Sequence, residues 1–463
     1  MKISAYGVAK MLSNWDDGPG PAHRRLSDRL TLLVLDGRLA LGATVPSERE
    51  LAATLGISRT TVGAAYGTLV RNNYLSTQER SRATVRLPAG QRVADPAERA
   101  TTTADLSFAA PQAPGEILHS SFAAALEQLP RHFERHGYDR YGIAELRDAI
   151  ASWYQRRGLA TSRDQILVTN GAQHALALLA RTLLAPRDRV VIEHPTYPHA
   201  ITTLLDRKAV LVPVGMTSDG WDVAQLRAAA RTAKLAFLIP DFQNPTGLLL
   251  SVDGRERLKL ACPTIVDETL TDLWLDSPPP PPYAVHHPAA ISIGSVSKSI
   301  WGGLRIGWIR ATPALLERVN QQRPAIDLGT AVVEQLATAN LLDNKLTHRT
   351  DAIDQLRLQR DTLQQALHDA LPQLEVSTPT GGVSIWAAFP AAISSRLAAT
   401  APDHGLTLAA GPRFGIGGAF ERHLRLPFTL PPDRLLDAVG KLARTVEAIA
   451  GGSVGTHRPL DIA

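Results

Sequence analysis

The sequence predicts an α/β protein built in two parts, and three observations carry that prediction. From Asp105 onward, short β-rich apolar runs alternate with helical stretches, the pattern of a mostly parallel sheet with helices on both faces. Ahead of it, Pro46–Leu75 holds two helical patterns of apolar spacing, broken at Gly56. Between the two parts Pro88–Ala104, PAGQRVADPAERATTTA, is polar, small and punctuated by proline, as linkers are. The expected division is a small domain at 1–87, a linker at 88–104 and a large domain at 105–463, with a small α+β unit at about 340–450.

Composition narrows the classes. The chain has 463 residues, 44% hydrophobic and 20% charged, which is room for two or three cores and ordinary for a globular protein. No apolar run approaches the ~20 residues of a membrane span, so no membrane partner is expected. The segment MKISAYGVAKMLSNWDD has no apolar stretch followed by a cleavage site, so the expected location is the cytoplasm. The single cysteine, Cys262, makes no internal disulfide and reads as a small buried hydrophobe beside an apolar strand. Charge is unevenly spread: residues 1–90 hold 12 Lys and Arg against 7 Asp and Glu, a net +5 equal to that of the whole chain. A basic excess confined to one small domain points to a polyanionic partner there.

The residues of that domain sharpen the point. In PSERELAATLGISRTTVGAAYGTLVRNNYL, Ser47 and Glu50 form an S-x-x-E capping box, with Pro46 keeping the chain extended before the helix. Leu51, Ala52 and Leu55 give the first helix its apolar face, and Gly56 ends it where a left-handed residue is needed. Ser58 caps the next helix, whose buried stripe is Val62, Ala65, Tyr66 and Leu69. Arg59, Thr60 and Thr61 are then left at its exposed first turn, the turn a helix–turn–helix presents to the major groove. Leu26, Leu30, Leu33 and Val34 mark a supporting helix upstream, and Tyr74–Ser76 with Ala83–Leu87 a two-stranded wing downstream.

This stretch resembles the winged helix–turn–helix of GntR-type bacterial regulators over about seventy residues, with PSERELA, SRTTV, AY and YL in that family's order. The resemblance implies DNA contacts from Arg49, Ser58, Arg59, Thr60 and Thr61, and double-stranded operator DNA as partner. The wing departs from the family, since TQERSRAT has no glycine; Arg80 and Arg82 are its candidates for phosphate contact.

In the large domain seven strands are expected: Ile166–Thr169, Val190–Glu193, Val210–Val214, Leu235–Ile239, Thr264–Asp267, Ile291–Gly294 and Gly307–Arg310. Ligands of such sheets bind beyond the carboxyl ends of the strands, and that is where the polar residues collect. Gly171, Ala172 and Gln173 open a helix whose free N–H groups suit a phosphate. Tyr197 offers a flat ring, Asn244 a neutral hydrogen-bonding group, and Asp267 a carboxylate at a strand end, costly unless it meets a cation. Lys298 follows the next strand between Ser295 and Ser297, and Arg305 adds a bidentate phosphate fork. His194 and His199 have no third ligand at convincing spacing, so no metal is expected. One molecule answers the whole set: pyridoxal 5'-phosphate has an aldehyde for Lys298, a ring nitrogen for Asp267, a ring face for Tyr197, a phenolate for Asn244, and a phosphate. Lys298 is then there to make a Schiff base.

In this order the motifs resemble the fold-type I aminotransferases from about Asp105 to near Ile449. YDRYGIAELRDAI looks like a family segment in which Tyr138 would reach the partner subunit's cofactor, so a homodimer is implied. SVSKSIWGGLRIGW looks like the family's lysine motif, and RHLRLPF places Arg425 where that family holds a substrate α-carboxylate. The joined pair resembles the MocR (GabR-type) regulators across nearly the whole chain. Related regulators carry a tyrosine two residues after the strand-end aspartate, where this chain has Thr269, a shorter donor to the phenolate oxygen. The resemblance therefore implies a transcription regulator that senses pyridoxal phosphate or an amino-acid-like effector through Lys298, with little turnover. Two other readings remain open: a pyridoxal-phosphate-dependent aminotransferase with a vestigial DNA-binding appendage, and a DNA-binding protein using the large domain as a cofactor-free scaffold. Lys298, Asp267 and Arg305 speak against the scaffold, and the recognition turn against the vestigial appendage.

Overall fold

The computed structural model describes residues 2–12, 15–16, 20–35, 38–77, 82–86, 104–217 and 220–451. Its first part is helical: α1 (Ala5–Leu12), α2 (Ala22–Leu35), α3 (Glu48–Leu55) and α4 (Arg59–Arg71), followed by strands β1 (Leu75–Ser76) and β2 (Thr84–Val85), paired antiparallel as a wing. Ser47 Oγ accepts from the Glu50 backbone N–H, and Ser47 N donates back to the Glu50 carboxylate, closing the capping box. Gly56, at φ 69°, turns the chain out of α3 in the left-handed conformation that only glycine adopts without strain. Ser58 caps α4 by accepting from Thr61 N at 3.0 Å. Val62, Ala65, Tyr66 and Leu69 pack with Leu26, Leu30, Leu33 and Val34 of α2 in one core, while Leu55 only borders it. The wing tip, with Arg80, lies outside the described residues, as does the linker up to residue 103.

The large domain begins with β3 (Ala104–Leu106), so Ala104 belongs to a strand rather than to the linker. Seven strands of the main sheet follow at the expected places: β4 (Ile166–Thr169), β5 (Arg189–His194), β6 (Val210–Thr217), β8 (Leu235–Leu238), β9 (Thr264–Asp267), β10 (Ile291–Ser295) and β11 (Gly307–Arg310). An eighth was not expected: β7 (Gly220–Trp221) folds back on the end of β6 and is too short for any period to reveal it. The order is β4-β11-β10-β9-β8-β5-β6-β7; strands from β10 to β6 run parallel, and β11 is antiparallel to both of its neighbours. Alternate residues feed opposite cores. Val168, Val191, Ala236 and Val266 enter one, with the helices Ala144–Arg156 and Val332–Asp343; Leu167, Ile192, Phe237 and Ile265 enter the other, with the helix Ala172–Leu183. That period of two on a sheet covered on both faces explains why these strands read as unbroken apolar runs.

A second, five-stranded sheet, β12 (Glu375–Val376), β13 (Ser384–Ala388), β15 (His423–Pro427), β14 (Leu406–Ala410) and β3, forms the small unit with the helices Thr350–Ala370 and Pro432–Gly451. It was expected near 340–450; its remaining strand, β3, comes from the start of the domain and runs parallel to β14. The polyproline stretch after Asp276 is a fixed spacer, since the buried Arg255 donates to Pro281 O and Tyr283 is buried. No helix among the described residues is long and apolar enough to cross a membrane.

Ser47→Ala should cost α3 about 1 kcal/mol of local stability. Amide exchange of residues 48–55 in the full chain should quicken about fivefold on that account; unchanged exchange would mean the cap is idle.

Candidate cofactor site and nucleic-acid interface

Loops beyond the strand ends enclose a cavity of ≈ 250 Å³ between the main sheet and the small unit, lined by Ala172, Gln173, Tyr197, Asn244, Asp267, Thr269, Ser295, Ser297, Lys298, Arg305 and Arg425. These residues span more than half of the chain, and the fold brings them to one place. Gly171 caps the helix Ala172–Leu183 at φ 89°, and a Cβ there would stand 2.8 Å from Arg305 Nη2. Arg305 itself holds a left-handed φ of 53°, a strained conformation for a side-chain-bearing residue, and its guanidinium donates to Asn170 O and Gly302 O. A helix N-terminus and a fixed guanidinium thus face the same space, which suits a phosphate.

Lys298 stands at the other side of the cavity. Its Nζ donates to Ala109 O at 2.7 Å, and its ammonium is pushed down to about 8 by burial and by the Arg425 guanidinium, with Asp267 pulling the other way. Burial raises the Asp267 carboxyl, while the Thr269 hydroxyl and backbone N–H and then Lys298 hold it down; Thr269 N donates to it at 3.0 Å. The Ser295 hydroxyl donates to Ile306 O and, at 2.9 Å, to Ser297, fixing the strand-end turn that carries Lys298. Tyr197, half-buried, is pushed up to about 12 by burial and Asp267. Arg425 enters from β15, 8% exposed, over the Phe414 ring, and burial followed by Arg413 pushes it down to about 10. Its Nη2 donates to Ser107 O.

Three buried polar atoms of the cavity lining have no hydrogen-bond partner among the described residues: Asn244 Oδ1, Gln173 Oε1 and Arg425 Nε. Gln173 and Arg425 already have one end tied, to Thr203 and Ser107. Buried polar groups left open in one cavity mark a place shaped for a polar ligand. Phosphate cradle, carboxylate, amide, ring and amine together fit pyridoxal phosphate. Tyr138, expected to serve the partner subunit, stays out of this cavity and is 62% exposed. Sequence reasoning missed Ser107, Ala109 and Ala110, which line the site or bond its cations; nothing in the spacing of SFAA points to a lysine 189 residues away. His194 and His199 join no metal-ligating group among the described residues: His194 Nε2 accepts from Ile416 N. Cys262 is half-buried at the edge of a core, with burial pushing its thiol up.

In the N-terminal domain Arg49, Ser58, Arg59 and Thr60 are exposed and Thr61 is half-buried. The Ser58 hydroxyl is within hydrogen-bond distance of both the Thr60 and Thr61 hydroxyls, so these three form the cap of α4 as well as its outer turn. The Arg59 side chain, 74% exposed, pairs with Glu48 at 3.1 Å, and Arg82 with Glu50 at 2.8 Å. Exposed pairs of this kind are weak and give way readily to a phosphate or a base edge.

A Cβ added at Gly307 would lie 2.5 Å from the Gly171 carbonyl carbon and 2.7 Å from Ala172 N. Gly307→Ala should therefore displace the phosphate-facing helix end and weaken pyridoxal phosphate binding at least tenfold, read by absorbance titration. Wild-type affinity would detach that helix end from the site.

Known proteins supply a comparison. Residues 106–442 match the aminotransferase class I and II family model, and residues 22–85 that of the gntR family of bacterial regulatory proteins. The chain is 25% identical over 464 residues to the HTH-type transcriptional regulator YdeF of Bacillus subtilis, covering 96% of each chain. It is 27% identical to aromatic-amino-acid aminotransferase 1 of Thermococcus litoralis, over 72% of this chain and 85% of that protein. Among solved structures, kynurenine aminotransferase of Pyrococcus horikoshii superposes with a TM-score of 0.71 at 25% identity, over 76% of this chain and 93% of its own. The chain belongs to the aminotransferase class I and II family, whose cofactor is pyridoxal phosphate, and the gntR-family domain joined to it makes it a transcription regulator of the MocR type.

Proposed function

We propose that this regulator binds pyridoxal phosphate on Lys298 and alters its grip on operator DNA when a small effector enters the same cavity. The observation that carries the reading is that both ends are intact in one chain: a capped helix presenting Arg59 and Thr60, and a cavity lined jointly by Lys298, Asp267, Asn244 and Arg425. Bound there, the cofactor supplies an aldehyde and a cationic ring that stores electrons. The chain's own residues do the rest. Lys298, made less basic by its surroundings, offers a neutral amine; Asp267 holds a proton on the ring nitrogen; Gly171, Ala172, Gln173 and Arg305 seat the phosphate; Tyr197 covers the ring. Ser295 and Ser297 keep the lysine turn in place, and Arg425, with one guanidinium nitrogen unpartnered, receives the effector's carboxylate. An amino acid fits that description, and pyridoxal phosphate itself is the other effector of the right chemistry.

The DNA contacts in this reading are Arg49, Ser58, Arg59, Thr60 and Thr61, working in the cytoplasm as a homodimer. Exposed Tyr138 and Leu328 support a dimer: their segments meet, with Gly329 against Asp139, and neighbouring apolar side chains left in water favour a partner. The aminotransferase reading keeps one specific support, the 27% identity to an aromatic-amino-acid aminotransferase. A sensor needs only a difference in affinity between two states, so turnover separates the two. Sustained transamination on the order of 1–1000 per second, with no ligand effect on DNA binding, would favour the enzyme.

Lys298→Ala should abolish the yellow absorbance of the lysine-bound cofactor while leaving the fold unchanged; a retained band would move the attachment elsewhere. Attachment of pyridoxal phosphate to cofactor-free protein should speed up through pH 8 and level off above it, because the neutral amine is the reactive form. A rate still climbing at about pH 10, where an ordinary lysine titrates, would contradict the depressed basicity. Arg59→Ala should weaken operator binding by roughly 1–3 kcal/mol at matched salt and relax specificity at one base pair. Wild-type affinity in that variant would place the recognition turn elsewhere.

A further inference from the structure

Helix α2 serves two cores. Leu26, Leu30, Leu33 and Val34 face the helix–turn–helix core, whereas Leu32 is buried in the core of the small unit. Asp28 and Arg29 share the face of Leu32 at spacings of four and three residues, which stacks them on one side of the helix. That side meets the helix Ser394–Thr400 of the small unit. Arg29 Nη1 donates to Glu421 Oε2 at 2.9 Å and to Ser395 Oγ at 2.8 Å, and the Ser395 hydroxyl and backbone N–H both donate to Glu421. The ion pair is closed off from water, with side-chain exposures of 8% and 12%. Beside it burial pushes the Asp28 carboxyl up to about 6, with Glu421 adding to the rise and Arg396 and Arg24 opposing it.

Glu421 lies four residues before Arg425, and the segment between them is tied down: Ser394 N donates to Glu421 O, and Ser394 Oγ to His423 O. At the cavity end, Arg425 and Lys298 both donate to one short segment, through Ser107 O and Ala109 O. A ligand aldehyde takes the Lys298 amine away from Ala109 O, and a ligand carboxylate meets Arg425 at its open Nε beside the bond to Ser107 O, so filling the cavity changes what this segment and β15 are bonded to. We infer that the Arg29–Glu421–Ser395 junction is a latch through which occupancy of the cavity is transmitted, along β15, to helix α2 and so to the DNA-reading helix packed on it. The inference rests on the regulatory reading above and names its route.

Coupling requires that the ligand bind the two latch states unequally, and linkage makes the effect reciprocal. The probe is pyridoxal phosphate reductively joined to L-alanine, which carries phosphate, ring and carboxylate in one molecule; pyridoxamine phosphate, lacking the carboxylate, is the control. In the full chain, the conjugate should shift amide exchange of residues 22–35 by about fivefold or more relative to the control, the low end of allosteric coupling. In the double variant Arg29→Met with Glu421→Gln, which removes both charges of the pair together, the conjugate should still bind but the shift should vanish. If the conjugate binds wild type and residues 22–35 exchange as in the control, the latch is overturned and the cofactor assignment stands. A shift that persists in the double variant overturns the latch as the route. If neither compound binds, the cofactor reading falls and the latch falls with it.

Discussion

Lys298, Arg305 and Arg425 share one small cavity with a single carboxylate, Asp267. Cations held out of water cost free energy unless an anion meets them, and here the surroundings push both Lys298 and Arg425 down from their ordinary basicity. The imbalance is relieved in part by backbone carbonyls, Ala109 O for the lysine and Ser107 O for the arginine. The site is therefore built to prefer an anionic ligand. Much of the local architecture follows from that requirement. The approach of Gly307 to Gly171, the left-handed Arg305 and the hydroxyl pair Ser295–Ser297 all fix the segments that carry the site's donors.

Placement at the sheet's carboxyl edge is a consequence of topology. β10, β9, β8 and β5 are parallel, so their ends deliver Lys298, Asp267, Asn244 and Tyr197 to the same side without long connections. The fourth side comes from a different unit, since Arg425 sits on β15 between Trp386 of β13 and Ala409 of β14. The cavity is closed by two separately packed units, and the small unit is the one that carries Glu421.

The main sheet was legible because both of its faces are buried, which turns each strand into a run of Val, Ile and Leu bounded by polar loops. The recognition helices were legible from their caps, Ser47 and Ser58, and from a stripe at helical spacing. Strand β7 was not, because two residues carry no period, and β3 was hidden at the edge of a polar linker with its partner strand 300 residues away in the chain. The contacts of Arg29 with Glu421 and of Arg425 with Ser107 span 392 and 318 residues, distances at which no local pattern pairs one charge with another. Helix α2 is the instructive case: its leucines announced one core, but Arg29 and Leu32, reading as an ordinary polar face interrupted by a leucine, belong to a second.

Under the proposed reading, Thr269 would tune this site away from rapid chemistry. The residue lines the cavity, yet its backbone N–H and its hydroxyl both act on Asp267, holding that carboxyl in its charged form against burial. With Thr269 so engaged, Asn244 of the same lining would be the main donor, through its Nδ2, to the phenolate oxygen of a bound ring. In that reading Asp267 would stabilise a protonated ring nitrogen, while the polarisation of the phenolate edge would rest mainly on one neutral amide. Such a division would keep affinity for the cofactor while loosening control over the proton that exchange of Lys298 for an incoming amine requires. Binding without efficient turnover is what a ligand-reading domain needs, because a signal consumed as fast as it arrives leaves no stable population to shift.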